Sequence, residues 1–363
     1  MPSHPDPDPT APTASDPTAP GPAAPDPTAP ATRLDVVCVG NALVDVLASA
    51  RDEDLVDLGL VKGTMALVDH ERSAAIYDRM GTTTEASGGS AANTAAGVAA
   101  LGGRAAFLGR VADDLFGQAF THDIRSIGVA FDPIPTSAVP GSVMSGHCLV
   151  LVTEDAERTM ATHLGVASEF GAVDLHDGHL GSTQIVYLEG YLWEQASAKA
   201  AMRGAIETAH RNDSAVALTV SDPFCVEHHR AEFLELLNGD LELLFANEEE
   251  AMMLFGTSTF DAAVDAVAET GVLAVLTRGS LGSVVVTATG PVAVPAVTVG
   301  SVVDTTGAGD LFAAGFLYGI TNGLGPEDAA RLGGVCAAEV VSHVGARPQG
   351  DLRALAVAAG LFA

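Results

Sequence analysis

The sequence predicts an α/β fold: a parallel sheet wound by strand–helix units, with ligands at the carboxyl ends of its strands. Two observations carry this. From residue 184 onward, short apolar runs (184–189, 215–220, 243–246 and 272–277) alternate with helical segments. Such runs suit strands buried on both faces, and the alternation suits βα units. The second observation is a small, polar, Gly-rich stretch, Val303-Asp304-Thr305-Thr306-Gly307-Ala308-Gly309-Asp310, followed by apolar residues at helical spacing over 311–319. The first part cannot pack as a strand and the second reads as a buried helix. A glycine turn therefore opens a helix.

Taken in order, residues 1–32 are mostly Pro, Ala, Asp and Thr, and Asp-Pro-Thr-Ala-Pro recurs at Asp8, Asp16 and Asp26. With no large apolar residue after Met1, this stretch cannot bury a core and predicts an extended, disordered tail. The fold begins with the apolar run 34–40, a buried strand ending in Gly40. Residues 90–101 are a small-residue helix closed by Gly102-Gly103. Residues 104–111 read as a strand and 114–127 as a surface helix, and 147–152 and 158–162 pair as strands around an acidic turn. Tyr191, Ser221 to Phe224, Asn247 to Glu250 and Thr277 to Gly279 each follow one of the later strands, where ligands of such sheets sit. Residues 283–288 and 292–299 look like a hairpin at the sheet edge. Residues 329–344 look like a further helical pair.

The 363 residues carry 17 basic and 46 acidic side chains, a formal charge of −29. That balance argues against a nucleic-acid or membrane surface, which would need a basic patch. Lys62 and Lys199 are the only lysines, so a phosphate site must rely on backbone amides, metal and arginine. Cys38, Cys148, Cys225 and Cys336 are scattered without Cys-x-x-Cys spacing and read as reduced core thiols. No apolar run is long enough to span a bilayer and no signal peptide is recognisable, so the expected location is cytoplasmic.

The glycine turn carries the chemistry. Free N–H groups and the positive end of the helix dipole make it an anion site. Gly307 and Gly309, either side of Ala308, let the backbone approach an anion closely. Asp310 would repel a phosphate, so it calls for another reason. One is chemical: it could take the proton of a hydroxyl that attacks a phosphoryl group held by the turn. The bland alternative is a tight connection with an acid that suits the dipole. No Lys-Ser or Lys-Thr follows the glycines, which excludes a P-loop, and Phe312 stands where a dinucleotide fingerprint needs its third Gly. Asn247 and Glu250 share one face at a helix start and suit the waters of a magnesium ion. Glu248 and Glu249 read as solvated helix charges.

Asp-Thr-Thr-Gly-Ala-Gly-Asp at 304–310 resembles the C-terminal signature of the ribokinase-like (PfkB) family of sugar and nucleoside kinases. Gly88-Gly89-Ser90-Ala91-Ala92-Asn93-Thr94, continuing through Leu101-Gly102-Gly103 to Gly109-Arg110-Val111-Ala112-Asp113-Asp114, resembles its N-terminal signature, and Asn247-Glu248-Glu249-Glu250 matches its Asn-x-x-Glu element. The resemblance runs from about Arg33 to near the C-terminus. It implies a three-layer α/β/α ribokinase-like domain over 33–363, with a small β-sheet lid from segments 43–68 and 131–165. It implies transfer of the γ-phosphoryl group of ATP to a primary hydroxyl. Asp310 would be the base, Gly307, Ala308 and Gly309 the anion hole, and Asn247 with Glu250 the magnesium shell. The acceptor would meet Asn41 and Asp45 after the first strand, with Gly88, Gly89 and Asn93 beside them; the alternative is a turn-forming amide and an exposed acid. Arg158 lies where the family places an arginine near the transferred phosphate, or is a rim arginine in a surface ion pair. Thr277, Arg278 and Gly279 would meet the donor's outer phosphates. The loop 342–348 resembles the one that borders the donor's adenine and often a monovalent-cation site, such as one for potassium. His343 is either a ligand contact there or an ordinary loop residue.

Within the family, Gly-Asn-Ala-Leu-Val-Asp (40–45), Ser-Gly-Gly-Ser (87–90), Glu-Gly-Tyr-Leu-Trp (189–193) and Ser-Asp-Pro-Phe (221–224) are most similar to the adenosine kinases, which implies a nucleoside 5′-hydroxyl as acceptor. A sugar kinase of the ribokinase or fructokinase type is the alternative. The intact Asp310 argues against a non-catalytic nucleoside or sugar sensor. Tyr191 would offer a purine a flat face in the crevice, with Leu43 and Phe224 as further walls, or would pack under the lid. The implied partners are ATP and a nucleoside or sugar, bound by a monomer or homodimer. Removal of residues 2–32 should leave melting temperature and activity unchanged; a clear fall in melting temperature would show that the tail docks on the domain.

Overall fold

The computed structural model describes residues 33–134, 136, 143–155 and 157–362. The expectations for the tail 1–32 and for part of the lid segment 131–165 lie outside the described residues.

The chain opens with β1 (Leu34–Val39) and β2 (Leu43–Ser49), then α1 (Asp52–Asp57), β3 (Met65–Leu67), α2 (His70–Tyr77) and β4 (Thr84–Gly88). Next come α3 (Ser90–Ala100), β5 (Ala105–Leu108), α4 (Leu115–Ser126), β6 (Gly146–Val152), β7 (Arg158–His163) and α5 (Asp177–Leu180). The alternating half follows: β8 (Thr183–Glu189), α6 (Ala196–Arg211), β9 (Ala215–Thr219), α7 (Pro223–Leu237), β10 (Leu243–Asn247), α8 (Glu248–Phe255), α9 (Phe260–Thr270) and β11 (Leu273–Thr277). A hairpin of β12 (Ser283–Thr287) and β13 (Gly290–Val294) precedes α10 (Ala308–Thr321), α11 (Pro326–Val340) and α12 (Leu352–Ala358).

The main sheet has the order β13-β12-β11-β10-β9-β8-β1-β5. Its strands from β5 to β11 are parallel, and the β12–β13 hairpin closes one edge antiparallel. Side chains on a strand alternate between faces. In β1, Val36 and Cys38 join a core with α3, α4, α10, α11 and α12, while Val37 and Val39 join a second core with α6 to α9. Both faces are thus covered, which is why these strands read as unbroken apolar runs. The result is the expected three-layer α/β/α arrangement. No helix among the described residues is long and apolar enough to cross a membrane.

A second sheet has the order β3-β7-β6-β2-β4. Val46, Leu149, Leu151 and Ala161 from its strands pack with Leu55, Leu58, Leu60 and Ile76 from the α1 and α2 regions. This is the expected small sheet with two corrections. Strand β4 belongs to it, although Thr84–Gly88 is too small and polar to announce a strand. Of the later lid segment, the strands among the described residues are Gly146–Val152 and Arg158–His163.

Three further expectations are corrected. Residues 329–344 are not a helical pair: α11 ends at Val340 and α12 starts only at Leu352. The strand expected over 292–299 stops at Val294, because Pro295 has no N–H to donate. The strand expected over 104–111 is Ala105–Leu108.

What positions the site is the seat of α10. A Cβ at Gly315 would lie 2.8 Å from Gly333 in α11, and one at Gly97 in α3 would lie 2.6 Å from the Ala314 Cβ. Small residues therefore let three helices approach at backbone distance, and the first turn of α10 comes against the first turn of α3. Gly315→Val should destabilise the fold by on the order of 1–3 kcal/mol through overpacking. Gly300→Ala, in open space at an ordinary backbone angle, is the control. Equal urea midpoints for the two variants would refute this packing argument.

Candidate active site

Helices α3 and α10 begin beside one another at the carboxyl end of the sheet. Both are entered through glycines with positive φ, Gly89 at 91° and Gly307 at 78°. A Cβ at Gly307 would also meet Ala346 at 2.7 Å, whereas one at Gly309 would meet nothing within 4 Å. The glycine at 307 is thus required by the turn itself, and 309 is the position that faces open space. The Ala308 N–H bonds Thr305 O at 3.2 Å. That engages Ala308 within the turn, and the amides of Gly307, Gly309 and Asp310 have no hydrogen-bond partner among the described residues.

Asp310 stands in the first turn of α10. Ser90 Oγ donates to its Oδ1 at 2.6 Å and Asn93 Nδ2 to its Oδ2 at 3.0 Å, while Thr94 Oγ1 donates to its backbone carbonyl at 3.2 Å. Burial raises the carboxyl above the usual range. The bonds from Ser90 and Asn93 and the charge of Arg347 oppose the rise. Asn93 therefore turns toward the acid rather than standing free for an acceptor.

Two more acids line the crevice. Asp45, on β2, is pushed up to about 7 by desolvation, against the attraction of Arg158 and Arg347. A Cβ at Gly88 would sit 2.6 Å from the Asp45 carboxylate, so the end of β4 leaves room for that acid. Glu189, at the end of β8, is 1% exposed and also raised to about 7 by desolvation. It accepts from the Asn41 amide Nδ2 at 3.0 Å, the Asn41 N–H at 3.3 Å and the Ala91 N–H at 2.9 Å. Asn41 is thereby tied to Glu189 through its backbone and amide nitrogens.

Arg158 crosses from β7 to pair with Asp304 of the glycine turn. Asp304 also accepts from Thr306 N at 3.0 Å and Gly345 N at 2.8 Å. Of the two alternatives for Arg158, the surface ion pair is set aside: the side chain makes a largely buried link between the second sheet and the turn.

Beyond Gly309 lies a mainly apolar cleft of about 530 Å³. Ala296, Val297 and Val299 form one wall, Ala337 and Val341 of the α11 region the other, with Phe312, Thr277 and Gly279 at its ends. The apolar run past Val294 serves here instead of in the sheet. Asn247 caps α8: its N–H and Nδ2 reach the Glu250 carboxylate at 2.8 and 2.6 Å, and the Glu250 N–H returns to Asn247 Oδ1 at 2.9 Å. Burial lifts Glu250 to about 7. Each carboxylate oxygen keeps a lone pair after this capping box. No three acidic, imidazole or thiol groups converge as direct metal ligands among the described residues. The residues therefore fit a magnesium ion that keeps most of its water. Arg278 is held by Glu248 at 3.0 and 3.1 Å and lies over the Phe260 ring at 4.2 Å.

The surroundings of four further expected contacts are these. Tyr191 is partly buried, its ring packed against the core on the α6–α9 side, beside Asp222. Phe224 is 44% exposed and stacks on His228 at 4.2 Å. His343 bonds Glu339 at 3.1 Å and does not line the apolar cleft. Leu43, on β2, is partly buried. Ser90, Glu189, Asp304 and Arg347 join the site without having been given roles from sequence. Glu189 had a signal, an acid ending an apolar strand; the contacts of Ser90 and Arg347 had none.

The "pfkB family carbohydrate kinase" profile matches residues 52–351. The adenosine kinase of Saccharomyces cerevisiae is 29% identical over 332 residues, 85% of this chain and 95% of the yeast protein. The crystal structure of adenosine kinase from Sinorhizobium meliloti superposes with a TM-score of 0.85 at 45% identity, over 91% of this chain and 100% of that one. A probable sugar kinase from Rhizobium etli superposes with a TM-score of 0.87 at 43% identity, over 92% of this chain and 100% of that one.

The raised acids make stability depend on pH. In the folded chain Glu250 holds its proton to about pH 7, whereas its unperturbed value is 4.5. The folded state then binds more protons between these values, so its contribution falls as pH rises through that window and is level above it. Glu250→Gln should flatten the loss of unfolding free energy between pH 5 and 7 by on the order of 1–3 kcal/mol. Urea titrations at pH 5, 6, 7 and 8 read the slope, and an unchanged slope would contradict the burial of this acid.

Proposed function

The chain belongs to the pfkB family of carbohydrate kinases, and on that footing we propose that it transfers the γ-phosphoryl group of ATP to the 5′-hydroxyl of adenosine, giving AMP. The protein is a phosphotransferase with an alcohol acceptor. The observation that carries the finer reading is the position of Asp310, between the amides of the α10 turn and the acid-lined crevice of Asp45. An acceptor whose hydroxyls bond Asp45 can present a further hydroxyl to Asp310. As that oxygen attacks the γ-phosphorus, Asp310 takes its proton; the new O–P bond forms, the bond to the β-phosphate oxygen breaks, and ADP leaves. The turn amides face the charge on the phosphoryl oxygens. The apolar cleft beside Gly309 suits the donor's base. Magnesium, when bound, would neutralise phosphate charge, with Asn247 and Glu250 holding its water.

Adenosine is favoured over a free sugar by the Sinorhizobium meliloti relative and by the stretches at 40–45 and 189–193. The Rhizobium etli relative, equally similar, keeps a sugar acceptor as the second reading. The reading carries with it purine salvage in the cytoplasm and a monovalent cation at the 342–348 loop. Coupled assays with adenosine, inosine, cytidine, ribose and fructose should rank adenosine first. Good turnover of ribose or fructose with none of adenosine would replace the nucleoside by a sugar. Asp310→Asn should lower kcat by about 10²–10⁴-fold while ATP binding, followed by calorimetry, is kept. Near-normal turnover in that variant would remove Asp310 from the role of base.

A further inference from the structure

Arg347 lies in the loop between α11 and α12, in none of the roles assigned above. Its Nε donates to Asn93 Oδ1 at 3.2 Å. Its Nη2 is buried without a hydrogen-bond partner among the described residues. Asp123, Asp45 and Asp310 surround it on three elements, α4, β2 and α10; burial brings the guanidinium down to about 10 although these three acids oppose the fall. A largely buried arginine with no direct ion pair among the described residues needs a reason for its place.

The reason follows from hydrogen-bond polarity. A guanidinium only donates, and a carboxylate only accepts. With Arg347 Nε on one side, the Asn93 amide must turn its oxygen to the arginine, and its NH₂ group then faces Asp310. The flipped amide would set two donors against each other at Arg347. It would also offer Asp310 an acceptor, which only a protonated carboxyl can use. The same two side chains thus have two self-consistent arrangements, one with Asp310 ionised and one with it protonated. Only the first lets Asp310 accept a proton.

We propose that Arg347 is a positioning residue: by fixing the Asn93 amide from the closing loop it selects the arrangement in which Asp310 is an ionised base. The inference rests on the kinase reading for its consequence in turnover, though the carboxyl's charge state can be read without turnover. The surroundings make the selection necessary. Asp310 is faced by Ser90, Asn93 and Thr94 from α3, by Tyr187 and Glu189 from β8, by Asp45 from β2 and by Arg347 from the loop. Asp45 in turn faces Arg158 and Asp304. Acids dominate that set, and burial favours the neutral form of Asp310.

The test is the pH dependence of Arg347→Met and Arg347→Lys. In the methionine variant the acid limb of kcat/KM for the acceptor should move up by about one pH unit or more, so that activity lost near neutral pH returns at higher pH while KM for ATP is unchanged. Lysine, which also only donates, should restore most of the wild-type limb. The titration of ¹³C-labelled aspartate carboxyls in the free proteins, with Asp310→Asn identifying the Asp310 signal, should show the same displacement. A loss of activity equal at every pH, or an Asp310 titration that does not move in either variant, would overturn the proposal. If the wild type phosphorylates no acceptor, the kinase reading fails, and the carboxyl titration still decides the role of Arg347.

Discussion

A carboxylate held by a hydroxyl and an amide, with no cation touching it, is the contact on which the site depends. Asp310 receives Ser90 and Asn93 from the neighbouring helix start, and everything that brings those two helix ends together serves that contact. The small residues of α10 allow its approach to α3 and α11. The positive-φ glycines at 89 and 307 aim both helix starts at the same crevice. Neutral donors stabilise the ionised acid while leaving it able to take a proton, which a direct arginine pair would oppose.

Around that contact the crevice gathers acids faster than bases. Asp45, Glu189 and Asp310 are all raised by desolvation. Glu189 is satisfied by three N–H groups and ties β8 to the loop after β1 and to the start of α3. Arg158 and Arg347 supply the positive charge, one from the second sheet and one from the closing loop. Neither is a lysine, in keeping with a chain that carries only two. The guanidinium's fixed geometry suits places where direction matters as much as charge.

The layers, the parallel order and the edge hairpin were legible because both-face burial leaves an unbroken apolar run, which β8 to β11 keep. Strand β4 was not, since Thr84–Gly88 pairs through its backbone and offers no apolar pattern. The acid at 310 was legible from the turn in front of it. Its support was not: Ser90 is 220 residues away, and Arg347 is 254 residues from the Asn93 it holds. Local reading gave Asn93 and Asn41 to the acceptor; it did not show that each amide nitrogen also donates to an acid, Asp310 and Glu189, because those acids lie far away in sequence. The apolar cleft beside Gly309 was hidden in residues that look like strand and are stopped by Pro295.

The four cysteines lie fully inside, and desolvation raises Cys38, Cys148, Cys225 and Cys336 well above an ordinary thiol. Attack on peroxide or on an electrophile requires the thiolate. The folded chain presents none at neutral pH, although one of these thiols, Cys38, sits on the strand that leads into the site. Two of the others lie on helices and one on the second sheet, so loosening of any layer would uncover a reactive sulfur. The oxidation of these thiols is therefore governed by the unfolding equilibrium and not by the redox chemistry of the surface.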